Sequence, residues 1–145
     1  MNTIPQYVVG REAELSALKV CLLTRHHLLL EGLPGLAKSR FALLAFRAFK
    51  DAQLFRAMFH GQTTTDDVIG PPNTKALRDR GVIEYNTDNM LPTAQFAYLD
   101  ELFNGPGSVL NATLNILNER EFSSGGKTVQ CPLITGVATT NKVSD

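Results

Sequence analysis

The run from Leu28 to Lys50, LLLEGLPGLAKSRFALLAFRAFK, constrains the fold more than any other part of the chain. His26 to Glu31 carries three consecutive leucines, the composition of a short strand covered on both faces, as strands of parallel sheets are. From Ser39 to Lys50 the apolar residues Phe41, Leu43, Leu44, Ala45, Phe46 and Phe49 fall among Arg40, Arg47 and Lys50 at helical spacing, with no breaker. Between strand and helix, Gly32 to Ser39 reads GLPGLAKS, which follows G-x-x-x-x-G-K-[ST] except that Ala37 replaces the second glycine. A strand, a glycine-rich turn and a helix form the setting in which this pattern builds a phosphate-binding loop.

Each position of the loop then has a physical task. Gly32 and Gly35 reach backbone angles closed to other residues and let phosphates approach the amides. Pro34 stiffens the turn, and the amides of Leu36, Ala37 and Arg40 open the helix with its positive dipole toward an anion. Lys38 reaches the outer phosphates and Ser39 holds Mg²⁺. Ala37 sits where the chain already turns into the helix, so a negative φ is expected there and its methyl is the smallest possible intrusion.

Strands and helices alternate along the rest of the chain. A helix is expected from Arg11 to Leu23, with Leu15, Leu18 and Leu22 on one face, and a strand from Leu54 to Gly61. Thr65 is expected to cap a short helix. Asn73 to Met90 is rich in turn residues and reads as an inserted hairpin turning at Asp79, Arg80 and Gly81. Ala94 to Glu101 is a buried strand ending in two carboxylates. Pro106 to Glu119 is a helix with Val109, Leu110, Leu114 and Leu117 as its buried stripe. Glu121 to Gln130 reads as a second hairpin turning at Gly125 and Gly126, and Leu133 to Asn141 as the last strand. The pattern is α/β with a parallel sheet.

A strand delivering Asp100 and Glu101 at its carboxyl end supplies what a phosphate-hydrolysing site needs beyond the loop. Asp100 can hold Mg²⁺ through water, and Glu101 can polarise the attacking water. Alone, such a pair would more often be a solvated strand end or helix cap. Asn141, closing GVATTN, can hydrogen-bond both the γ-phosphate and that water without adding charge, and otherwise serves as a turn former after the strand.

At 145 residues and 43% hydrophobic, the chain can bury one core, which fits a soluble, cytoplasmic domain or part of one. The 14 basic and 14 acidic residues cancel, which argues against a general electrostatic grip on nucleic acid. Cys21 and Cys131 lie far apart in apolar segments, as reduced core thiols rather than a metal site. No signal peptide or membrane-spanning run is read from the sequence.

The motifs VVGRE, EGLPGLAKS, YLDELFNGPGSVLNATLNILNEREF and GVATTN, in this order, resemble an AAA+ ATPase of the MoxR family, and within it the regulatory ATPase variant A group. The resemblance covers nearly the whole chain and implies a P-loop NTPase core using ATP and Mg²⁺. It makes Gly32 to Ser39 a Walker A loop of the Ala-Lys-Ser form, Asp100 and Glu101 Walker B, and Asn141 sensor 1. Val8 and Val9 would lie against the adenine. Asn73 to Met90 matches the helix-2 insert and Glu121 to Gln130 the pre-sensor-1 hairpin, which in related proteins face the centre of a ring and engage a client. The implied partners are further copies in a ring, a hexamer in the full protein, a client protein, and a von Willebrand A-domain protein. Residues 1–145 read as a truncated AAA+ core, ending before the arginine finger, last core strand and helical lid, so slow hydrolysis is expected of it alone. Arg120 is read as a charge exposed beside the hairpin rather than as the finger.

Three readings remain open on the sequence: an ATP-hydrolysing remodelling chaperone that matures protein complexes, a nucleotide-binding assembly module with little turnover, and an AAA+ motor acting on nucleic acid.

Overall fold

The computed structural model describes residues 12–32 and 38–141, without the side chains of Lys38 and Ser39. Arg11, Val8, Val9, Pro34, Gly35, Leu36 and Ala37 lie outside the described residues. In chain order the elements are α1 (Glu12–Thr24), β1 (Leu28–Glu31), α2 (Lys38–Phe46), β2 (Leu54–Met58), α3 (Thr65–Val68), α4 (Thr74–Arg80), β3 (Phe96–Asp100), α5 (Gly107–Glu119), β4 (Glu121–Ser124), β5 (Lys127–Gln130) and β6 (Thr135–Thr140).

Four strands form one sheet in the order β1-β6-β3-β2, and every pairing in it is parallel. The sheet is an α/β layer because successive residues of β3 face opposite sides. Phe96 and Tyr98 pack with Leu18 of α1 and with Phe41, Ala42, Ala45 and Phe46 of α2. Ala97 and Leu99 pack on the other side with Val68 of α3 and with Val109, Ile116 and Leu117 of α5. Phe46 stacks on Phe96 with ring centroids 4.7 Å apart. Full burial of a side chain such as Phe96, Leu99 or Ile116 contributes roughly 1.5–3 kcal/mol. A one-residue slip of β3 would exchange its two faces, so this packing fixes the register.

The strand expected to be covered on both faces is less enclosed than its leucines suggest. Leu30 is buried but Leu29 is 49% exposed, because among the described residues β1 pairs only with β6 and sits at the sheet edge. The helix expected to run to Lys50 ends at Phe46, where Phe49 N–H bonds the Phe46 carbonyl and tightens the chain into a turn. The cap of α3 is Thr64 rather than Thr65, since Asp67 Oδ2 accepts from both the Thr64 N–H and its hydroxyl at 2.8 Å. On α5 the fully enclosed residues are Val109, Thr113, Ile116 and Leu117, while Leu110 and Leu114 are half-buried. Thr113 can occupy the core because its hydroxyl donates to the Val109 carbonyl at 2.8 Å, leaving no unpaired polar atom.

The insert differs from the expected hairpin. Thr74 to Arg80 is helical, with Asn73 Oδ1 accepting from Ala76 N–H at 3.1 Å and Gly81 closing the helix at φ 67°. The Asp79-Arg80-Gly81 run is therefore the end of a helix, not a hairpin tip. The arms still meet: Pro72 bridges Tyr85, and Asn73 N–H donates to the Glu84 carbonyl at 2.7 Å. The second hairpin forms where expected, β4 pairing antiparallel with β5 across Gly125 and Gly126. Both cysteines are free; Cys131 is buried and Cys21 half-buried. Burial pushes the Cys131 thiol up to about 11, which keeps it protonated and unreactive.

Arg120 is not an exposed charge. It caps α5 in the left-handed region at φ 55°, its Nε donates to the Leu133 carbonyl at 3.0 Å, and its Nη2 donates to the Arg25 carbonyl. It ties three segments together at the edge of the sheet where the strands begin.

Candidate functional site

Because the four strands run parallel, their carboxyl ends share one edge of the sheet, the position where open α/β sheets hold ligands. Four sequence-predicted residues gather there: Gly32 after β1, Asp100 and Glu101 at the end of β3, and Asn141 after β6.

Gly32 has φ +152°, a region that only glycine occupies readily, and space around it is open, so backbone angle rather than crowding demands glycine. Its N–H donates to the Thr140 carbonyl at 3.2 Å. The chain thus leaves β1 beside the residue that precedes Asn141. Lys38 and Ser39 lie in the first turn of α2, and Arg40, in the same turn, is exposed.

Among the described non-glycine residues of the site, Glu101 holds the least ordinary backbone, φ 52° and ψ 42° in the left-handed region, where a side chain costs roughly 1–2 kcal/mol. Such strain persists only where neighbours fix it. Its N–H donates to Thr139 Oγ1 at 3.1 Å, and its Oε2 accepts from Asn141 N–H at 3.2 Å and from Asn104 Nδ2 at 3.4 Å. Its Oε1 accepts no hydrogen bond among the described residues.

Asp100 is anchored differently. Its Oδ1 accepts from Thr139 Oγ1 at 2.5 Å and from Tyr98 OH at 3.3 Å, while its carbonyl accepts from Phe59 N–H at 2.8 Å. Oδ2 takes no hydrogen bond among the described residues. A carboxylate oxygen so placed suits Mg²⁺, which prefers few protein oxygens and retained water. The residues present therefore fit the ion on the Asp100 side.

Thr139, Tyr98 and Asn104 were not picked out from the sequence. Thr139 had a usable signal, since it stands two residues before Asn141 near the end of a strand expected to run to that residue. Asn104 had none, because its reach to Glu101 depends on the 3-10 turn Leu102–Asn104.

A cleft of about 600 Å³ lies away from these residues, lined by residues 24–27, 117–120, 130 and 131 where β1 and β6 begin. Among the described residues no cluster of His, Cys, Asp and Glu could hold a metal by itself, and no helix is long and apolar enough to cross a membrane.

Comparison with known proteins gives a consistent picture. Residues 1–145 match the family described as the MoxR domain in the MoxR-vWA-beta-propeller ternary systems. The chain is 34% identical over 139 residues to an uncharacterized protein of Methanocaldococcus jannaschii, covering 96% of this chain and 36% of that one. It is 32% identical over 129 residues to the chaperone MoxR1 of Mycobacterium tuberculosis, covering 89% of this chain and 33% of that one. A crystal structure from Cytophaga hutchinsonii, described as a candidate ATPase, superposes with a TM-score of 0.73 at 26% identity over 98% of this chain and 42% of that one. The chain thus spans about a third of the length of the curated relatives it matches.

Proposed function

Because the chain belongs to the MoxR family of AAA+ ATPases, we propose that it is the nucleotide-binding core of an ATP-hydrolysing remodelling chaperone that assists the maturation of protein complexes. The observation that carries the reading is the contact of Glu101 Oε2 with Asn141 N–H at 3.2 Å, on the strand edge where Gly32 begins the loop. A candidate general base and a candidate γ-phosphate donor are adjacent there, as in-line attack of water on a phosphoryl group requires.

Each residue takes a distinct role. Gly32, Pro34, Gly35, Leu36 and Ala37 form the loop around the phosphates, and Lys38 pairs with their charge. Glu101 keeps Oε1 toward the attacking water and withdraws proton density from it. The Asn141 amide positions the γ-phosphate without adding charge. Ser39 and Asp100 would hold Mg²⁺, which when bound supplies positive charge to the phosphate oxygens. Val8 and Val9 are assigned to the adenine, and Arg40 to the loop's helical end.

The proposed work is ATP-driven remodelling of a client by a ring of copies, and the family description, which names MoxR-vWA-beta-propeller ternary systems, supports a von Willebrand A-domain protein beside it. The finer likeness to the regulatory ATPase variant A group rests on the Ala37-Lys38-Ser39 form of the loop. The reading is tested by Lys38→Ala, which removes the loop's matched cation and should abolish ATP binding in calorimetry. Unchanged affinity would reject the phosphate-loop assignment.

A further inference from the structure

We propose that Thr139 is a positioning residue that sets the geometry of both carboxylates of the site. The inference rests on the hydrolytic reading above and extends it to a residue that is neither a Walker B carboxylate nor sensor 1.

Donor counting fixes the direction of every bond. A threonine hydroxyl has one proton and two lone pairs. The Glu101 amide can only donate, so Oγ1 accepts from it at 3.1 Å. The single hydroxyl proton then goes to Asp100 Oδ1 at 2.5 Å. One buried oxygen therefore joins the side chain of Asp100 to the backbone of Glu101, and Thr139 is 0% exposed, so water does not compete for either bond.

Two consequences follow from this bridge. Asp100 Oδ1 is occupied by Thr139 and, at 3.3 Å, by Tyr98, so Oδ2 is the oxygen presented outward. Glu101 is held in its left-handed conformation at φ 52°, and with that backbone its Oε2 reaches Asn141 N–H. Relaxation of Glu101 toward ordinary angles would swing its carboxylate away from the sensor strand. A shift of about 1 Å in a reacting group can cost on the order of 10²-fold in rate.

Strand register explains why β6 supplies this residue. Leu99 is paired with Ala138, so Thr139 comes level with Asp100, two residues before Asn141. A hydroxyl is needed at this position, whereas valine fills the same volume and supplies no proton.

The test compares Thr139→Val and Thr139→Ser in the intact protein. Valine should lower kcat at least about tenfold, toward the loss expected of a misplaced base, while ATP affinity stays within about threefold. Serine restores the hydroxyl and should return kcat to within about threefold of the parent. In the parent itself the Glu101 amide should exchange with deuterium slowly, and valine should speed that exchange. Equal kcat for valine and parent, failure of serine to rescue a folded variant, or a Glu101 amide that exchanges in the parent like an unbonded one would each overturn the proposal. The exchange measurement on the parent decides even if the valine variant does not fold. If Glu101→Gln also hydrolyses ATP like the parent, the hydrolytic reading fails, whereas a silent Thr139→Val beside an inactive Glu101→Gln removes Thr139 alone.

Discussion

The backbone N–H of Gly125 donates to the carbonyl of Ile83 at 2.7 Å, joining the tip of the β4–β5 hairpin to the arm that returns from α4. Tyr85 N–H reaches Ser124 Oγ at 3.4 Å beside it, so two excursions separated by some forty residues form one body. Ile83 is 57% and Leu77 48% exposed on the insert, and Val129 is 39% exposed on the hairpin.

Gly125→Ala tests that coupling. Gly125 sits at φ +61°, and an added Cβ would meet Glu84 Cγ at 2.9 Å. Glu84 can shift, so the main cost is the left-handed backbone, roughly 1–2 kcal/mol. Hydrogen exchange should rise at the Tyr85 amide as well as within Glu121 to Gln130, with ATP affinity unchanged. A rise confined to the hairpin would show that the two excursions open independently.

His27 gives the fold a pH dependence whose sign can be worked out. Gly136 N–H donates to its Nδ1 at 2.9 Å, so its proton is on Nε2, which donates to the Leu117 carbonyl at 2.6 Å. Burial lowers its pKa below the usual 6.5, and the charges of Arg120 and His26 act in the same direction against the Leu117 carbonyl. The unfolded chain therefore binds a proton that the folded chain resists. The stability from neutral His27 is fully present above about pH 6.5 and is lost as pH falls through that value toward the lower folded one. Urea unfolding at pH 7.5 and pH 5 should show a larger loss in the parent than in His27→Gln, and equal losses would remove His27 as the cause.

Parallel architecture was legible because it rests on local patterns. The leucine triplet, the glycine turn and the apolar face of α2 each satisfy a period or a turn requirement within a few residues. The placement of Asp100, Glu101 and Asn141 at or just after the ends of apolar strands was legible for the same reason. The insert was misread because Asp79, Arg80 and Gly81 serve equally as a turn or as a helix end, and the Asn73 cap decides between them. Thr113 was passed over because a threonine in a helix reads as exposed until its hydroxyl bonds the Val109 carbonyl. Thr139 and Asn104 act through contacts made only after β3 and β6 align. Arg120 looked like surface because its acceptors, the carbonyls of Arg25 and Leu133, come from other segments.

The central claim is that the carboxyl edge of the sheet hydrolyses ATP with Glu101 as the base, and Glu101→Gln in the intact protein tests it most directly. Glutamine keeps the shape and can still accept from Asn141 N–H, but it lacks the basicity to polarise water. Parallel measurement of ATP affinity and phosphate release should give binding within about threefold of the parent and release lowered by on the order of 10²-fold or more. Phosphate release equal to that of the parent, with ATP bound normally, would contradict the account.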